Sequence, residues 1–283
     1  MCPLKRKAFR PKKRLGQNFL YDPAIAGKIL ACADLKPGQP VIELGAGKGI
    51  LTKPLIQLGV RLIALEIDSQ LHRELERSVV EAGASPDSAE ILNVDFTKIS
   101  LTGLLVSRGL ESGVLIGNIP YHLTRNVLFS FLVDEVEMLD SAYLMMQREV
   151  GERIVSPPGN RVYGITSVIL QSLYAVRLLF RVLPGSFNPK PKVASVVLEF
   201  KPLSEPLVEP GEVGKFARLV KNVFQQRRKT IHNTIRSSYN VSSRELDRVE
   251  QLSGINLGSR PEALSKEDFL RLWRAVDEVA SGG

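Results

Sequence analysis

The chemistry in this chain is concentrated in four consecutive residues, Asn118, Ile119, Pro120 and Tyr121. The side-chain oxygen of Asn118 and the main-chain carbonyl of Ile119 are two acceptors that one planar NH2 group reaches at once. Pro120 fixes φ and has no N–H, so no donor competes at that point. Tyr121 adds an aromatic face on which a nucleobase stacks. An exocyclic amine on a base is a poor nucleophile, because its lone pair is delocalised into the ring. Two acceptors drawing on its N–H bonds favour the pyramidal, nucleophilic nitrogen. Taken alone, four such residues also describe an ordinary Asn-Pro turn beside a buried tyrosine.

The elements that must position these residues are legible upstream. Val114, Leu115 and Ile116 form a short apolar run, the pattern of a strand covered on both faces. Such strands present their carboxyl ends to a crevice in an open α/β sheet. Gln39 to Gly49 reads as a strand running into a glycine-rich turn, Ile50 to Leu58 as a helix, and Arg61 to Ile67 as a second strand ending on Glu66-Ile67-Asp68. This βαβ unit departs from the dinucleotide fingerprint, because the third glycine of Gly45, Gly47 and Gly49 comes one residue early. An acid at the end of the second strand, here Glu66, suits the two hydroxyls of a ribose. Ala89 to Val94 is a third strand; Asp95 after it suits an adenine amine or caps a turn.

Further strands are expected at 142–146, 176–182 and 193–200, with helices at 22–33, 147–153 and 164–174; the charges of Gln147 to Arg153 read as structural pairs. Between the last two strands, Phe187 to Val193 reads as a stiff, basic loop with an aromatic tip. Ser204 to Gly211 is rich in Pro and Glu, as in a linker. Beyond it the pattern is helical only, at about 213–225, 229–238, 242–253 and 265–280, with capping boxes at Ser242/Glu245 and Ser265/Asp268. The division expected is a basic arm over 1–21, an α/β domain over 22–203 and a small helical domain over 204–283.

The 283 residues carry a net charge of +8, unevenly placed. Residues 1–21 hold seven bases and no acid, and residues 213–244 hold eight and no acid. These charges exceed the net value, so the remaining body is mildly acidic and the basic blocks point to a polyanionic partner. No apolar stretch follows the basic start, which argues against a targeting peptide. No run has the length of a membrane span. Two cysteines are too few for a disulfide framework and suit a reducing cytosol. No Cys/His cluster has zinc-ligand spacing, so no metal is expected. His122 reads as a loop residue, His72 and His232 as helix-surface residues.

Taken in order, Gln17-Asn18-Phe19-Leu20, Glu43 to Gly49, Glu66-Ile67-Asp68, Asp95, Asn118 to Tyr121, Phe187-x-Pro-x-Pro-x-Val193, Arg227 to Thr230 and Arg260 to Ser265 resemble the ribosomal RNA adenine dimethyltransferases, and most closely the small-subunit (16S) branch. Ala46 and Ile119 stand where proline and leucine are common, and neither removes a polar group. The resemblance implies a Rossmann-like, mostly parallel sheet with its last strand antiparallel. It implies S-adenosylmethionine held by Asn18, Leu20, Gly45, Gly47, Glu66, Asp95 and Asn118. It also implies a target adenine between Tyr121 and Phe187, with Asn118, Ile119 and Pro120 at its amine. RNA contacts are expected at Lys12, Lys13, Arg14, Lys190, Lys192, Arg227, Arg228 and Lys229. The implied activity is dimethylation of two adjacent adenines near the 3′ end of 16S rRNA during subunit assembly, by a cytoplasmic monomer. The alternatives are a large-subunit (23S) adenine methyltransferase, a DNA adenine methyltransferase, and a non-catalytic assembly or transcription factor on the same fold.

Overall fold

The computed structural model describes residues 17–85, 87–225 and 229–281. In chain order the elements are β1 (Phe19–Leu20), α1 (Pro23–Ala33), β2 (Pro40–Leu44), α2 (Thr52–Gln57), β3 (Arg61–Leu65), α3 (Ser69–Glu81), β4 (Ala89–Leu92), α4 (Leu101–Val106), β5 (Gly113–Asn118), α5 (Thr124–Ser130), β6 (Leu139–Gln147), α6 (Arg148–Ile154), α7 (Ile165–Leu173), β7 (Tyr174–Val182), β8 (Phe187–Asn188), β9 (Ser195–Pro202), α8 (Val213–Phe224), α9 (Ile231–Tyr239), α10 (Ser243–Ser253) and α11 (Lys266–Ser281). Seven strands form one sheet in the order β4-β3-β2-β5-β6-β9-β7. Strands β2 to β6 pair in parallel, and β9 runs antiparallel to both β6 and β7.

The sheet forms where the sequence is apolar without alternation. Val41, Ile42, Leu44, Val114, Leu115 and Ile116 are all buried, as strands covered by helices on both faces must be. From β2 the chain steps outward through β3 and β4, then returns to β5 on the other side of β2. That reversal opens a crevice between the carboxyl ends of β2 and β5, where α/β sheets bind ligands. Gly117 lets the two strands close up at this point: a Cβ there would come 2.9 Å from the Leu44 carbonyl oxygen.

Local signals set the helix boundaries. Asp22 caps α1 by accepting from the Ala24 N–H at 3.0 Å, with Pro23 in the first turn. Reciprocal caps form at Ser242/Glu245 and at Ser265/Asp268. Helix α8 buries Phe216, Val220, Val223 and Phe224 at helical spacing and turns Lys215 and Arg218 outward. Its apolar face continues the core that covers one side of the sheet: Tyr163 meets Phe224 edge-on at 6.3 Å, and Phe224 stacks on Phe269 at 5.5 Å. The charges of α6 pair among themselves and with β7, through Glu149–Arg153, Arg148–Glu152 and Arg181–Glu152.

Two expectations are corrected. The segment at Phe187 is not only a loop, because Phe187–Asn188 forms a two-stranded antiparallel ribbon with Phe19–Leu20. Neither strand has the length or alternation that marks a strand in sequence. Helix α9 starts at Ile231 with Thr230 as its N-cap, so exposed Lys229 precedes the helix rather than starting it. Arg227 and Arg228 lie outside the described residues, as do Lys12, Lys13 and Arg14. No helix among the described residues is long and apolar enough to cross a membrane.

Candidate active site

A cavity of about 220 Å³ lies in the crevice between β2 and β5. Its wall includes Asn18, Gly45, Gly47, Glu66, Asp95, Asn118, Ile119, Pro120 and Tyr121 together. Residues more than 100 positions apart thus converge on one sheet edge.

The glycine turn and the acid are built as a unit. Gly45 and Ala46 donate their N–H groups to the Leu65 carbonyl, joining the end of β2 to the end of β3. Gly47 has φ +58, and a Cβ there would approach the Phe19 ring to 3.2 Å. A side chain would fill the cradle, which only glycine leaves open. Glu66 accepts from the Gly47 N–H at 2.8 Å and from the Asp68 N–H at 2.7 Å. Burial pushes its carboxyl above the ordinary value, and those two N–H groups oppose that rise. The acid therefore also braces the turn, a task invisible in the sequence. Beneath it, burial raises Glu43 to about 7, against the hydrogen bond of 2.7 Å that it accepts from Thr52 Oγ1.

Asp95 does both things offered for it in sequence, capping a short turn and lining the cavity. Its Oδ1 accepts from the Thr97 N–H at 3.0 Å and from the Thr97 hydroxyl at 2.6 Å. The carboxylate is thereby aimed, with Oδ2 left as the acceptor that a ligand amine can use.

The two acceptors that end β5 are held from two sides. Asn118 Nδ2 donates to the Asn18 carbonyl at 3.0 Å. A carbonyl accepts only, so this bond settles which end of the amide is which and leaves Oδ1 as its acceptor. The Ile119 N–H is tied to the Met145 carbonyl at 3.1 Å, which fixes the preceding peptide of the turn. Tyr121 shares a hydrogen bond of 3.0 Å with the buried Ser195 hydroxyl, so its ring is held at one angle.

Two assigned residues fall elsewhere. Leu20 and Phe187 are partners across the β1–β8 ribbon, both buried in the apolar cluster on the α1 side of the sheet, and neither lines the cavity. Phe187 is only 3% exposed, so its ring is packed among core residues rather than presented to the cavity. Lys190 and Lys192 are exposed on the loop that follows. Phe19 and Ile67 stood within motifs of the sequence but were given no role there, and Thr97 and Ser195 were passed over. Ile67 carried a signal, as an apolar residue between two acids; it lines the cavity while remaining 46% exposed. Ser195 lies two residues past the motif as read. His122 lines the cavity from the loop, while the half-buried His72 holds its Nε2 3.1 Å from the Ile91 carbonyl oxygen. Among the described residues no group of three or more His, Cys, Asp or Glu could hold a metal ion.

A parallel sheet reversing at β2, a glycine cradle, an acid closing β3 and a pair of acceptors closing β5 together define an S-adenosylmethionine-dependent methyltransferase of Rossmann-like fold. The comparisons with known proteins narrow the class. Residues 8–278 match the family model described as ribosomal RNA adenine dimethylase, and the chain belongs to that family. It is 38% identical over 281 residues to the ribosomal RNA small subunit methyltransferase A of Geobacter metallireducens, covering 99% of this chain and 100% of that one. The Syntrophotalea carbinolica protein of the same name is also 38% identical, over 94% and 97% of the two chains. Among solved structures, a dimethyladenosine transferase from Plasmodium falciparum shares the fold with a TM-score of 0.74 at 24% identity, covering 90% of this chain and 95% of that one. The 23S rRNA methyltransferase ErmE shares it with a TM-score of 0.69 at 23% identity, over 92% and 100%.

Proposed function

We propose that this protein dimethylates the exocyclic amines of two adjacent adenines near the 3′ end of 16S rRNA, acting as a cytoplasmic monomer on the immature small subunit. The observation that carries the reading is the amide of Asn118, oriented by Asn18, beside the Ile119 carbonyl and the glycine cradle. The share of the chain covered by the small-subunit methyltransferases supports that substrate.

S-adenosylmethionine, when bound, supplies a methyl group on a positively charged sulfur that leaves neutral. The residues that fit it are Gly45 and Gly47, whose open cradle admits a close approach, with Glu66 for the ribose and Asp95 for the adenine. Asn118 Oδ1 and the Ile119 carbonyl receive the two N–H bonds of the target amine and favour its pyramidal form over the flat one. They therefore stabilise the transition state more than the ground state. Tyr121 holds the unstacked base at a fixed angle, so much of the acceleration comes from alignment. The attacked nitrogen becomes acidic as it gains the methyl group and loses its proton to water, so no side-chain base is required. The second methylation needs the same clamp with one N–H left to bind.

The test is to incubate the protein with methyl-labelled cofactor and, separately, immature small subunits, mature small subunits, large-subunit RNA and DNA, and then map the label. Label on paired adenines of immature 16S rRNA is expected. Label on large-subunit RNA or DNA alone overturns the reading.

A further inference from the structure

A second cavity, of about 530 Å³, opens beyond Tyr121 and His122, which line both it and the first. Its volume falls in the range of about 300–1,000 Å³ usual for ligand sites. Helix α5 provides Thr124, Arg125 and Phe129, the start of α7 provides Thr166, and the last turns of α8 provide Lys221 and Phe224. The cavity therefore lies where the sheet's helices meet the carboxyl-terminal ones.

Three features give it a chemistry. First, Arg125 and Lys221 converge on the half-buried ring of Phe129, at 5.9 and 4.9 Å from its centre. Neither is ion-paired with a carboxylate among the described residues. Two cations on one ring suit a phosphodiester, and Lys221 also lies near enough to Asp134 to favour the charged form of that carboxyl. Second, Thr124 and Thr166 line the cleft, but their hydroxyls are enclosed in its wall, so the polarity it presents comes from its basic side chains. Third, the remaining wall is apolar, from Leu128, Val150, Ile165 and Phe224. Cations, an aromatic ring and apolar surface in one cleft describe recognition of an unpaired nucleotide.

We propose that this cavity binds the nucleotide adjoining the target adenosine, with its phosphate at Arg125 and Lys221 and its base against the apolar wall. The inference rests on the function proposed above and deepens it. Tyr121, anchored to Ser195, becomes the partition between two neighbouring bases of one strand. While one adenine is in the clamp its neighbour is held one position away, and a shift of the strand by one nucleotide exchanges their places.

The test uses small subunits reconstituted with 16S rRNA whose 3′ segment is ligated from synthetic RNA carrying one photoreactive 8-azidoadenosine. In one arm it replaces the target adenosine and in the other its neighbour, and cross-linked peptides are mapped by mass spectrometry. The target arm should label the 118–122 segment, and the neighbour arm α5, the start of α7 or the end of α8. In the neighbour arm, the Arg125→Gln/Lys221→Gln variant should lose about tenfold in cross-link yield. Its affinity for S-adenosylhomocysteine, measured by calorimetry, should stay unchanged and so report an intact fold. If the target arm labels as expected and the neighbour arm labels other surfaces, the second cavity is not a nucleotide site and the proposed function stands. If the target arm labels elsewhere, both readings fall.

Discussion

Replacing Asn118 separates the two jobs its amide performs. In Asn118→Ala the target amine loses one of two acceptors, and loss of one preorganised group of this kind costs about 10²–10³ in turnover, or roughly 2.7–4 kcal/mol. The same change removes the bond of 3.0 Å to the Asn18 carbonyl, worth about 1 kcal/mol as a neutral hydrogen bond. Cofactor affinity should therefore fall by no more than about fivefold, through a loosened Asn18 segment. Asn118→Asp is the sharper probe. It keeps an acceptor on the cavity side but sets a carboxylate oxygen against the Asn18 carbonyl, where two acceptors repel. If an acceptor at this position were sufficient, the Asp variant would stay active; with the amide's polarity set by Asn18, it should lose as much as the Ala variant. The assay is single-turnover methylation of immature small subunits under saturating cofactor, with calorimetry of S-adenosylhomocysteine alongside. An Ala variant within tenfold of the wild type would refute the clamp, and an active Asp variant would refute the role given to Asn18.

Glu66→Ala should weaken cofactor binding by about 1.5–3 kcal/mol, the range for hydrogen bonds to a charged group, with RNA affinity nearly unchanged; unaltered calorimetry would make the acid purely a brace for Gly47 and Asp68. Glu43 has a folded-state pKa raised from 4.5 to about 7, so its contribution is complete below pH 4.5 and disappears as pH rises through 7. The loss amounts to about 3 kcal/mol. Urea denaturation from pH 5 to 8 should show it in the wild type and a flatter profile in Glu43→Gln; parallel profiles would place the titration elsewhere. Neutralising Arg227, Arg228 and Lys229 together to Gln should weaken all RNA substrates alike and lower the salt slope by about 2, at about 0.7 per phosphate contact with single strands. Parallel plots of affinity against salt for wild type and variant would remove those residues from the RNA surface.

What could be read in the sequence was what repeats or contrasts locally. The apolar runs at Val41 and Val114, the glycine turn between them and the acids at Glu66 and Asp95 each announce themselves within a few residues, and the sheet then brings them to one edge. The ribbon pairing Leu20 with Phe187 could not be read this way. It joins two strands of two residues each, separated by most of the chain, and only tertiary packing selects them. For that reason an aromatic that looked suited to stacking is a core residue here. The role of Ser195 was equally hidden, since nothing local says that a buried hydroxyl meets a tyrosine 74 positions earlier.

The bond between Asn18 and Asn118 spans 100 residues and joins the catalytic amide to the segment entering β1. If Asn118 acts as proposed, turnover depends on an intact peptide chain in a segment that carries none of the reacting groups. A single proteolytic nick between Leu20 and Tyr21 would leave the seven-stranded sheet and the carboxyl-terminal helices in place. It would also free the carbonyl that tells the Asn118 amide which way to face. Such a clipped protein would pass as folded in a melting curve and still grip RNA, yet work slowly. A fusion tag that strains this segment would do the same, so for this protein the integrity of the amino-terminal segment is a measure of specific activity.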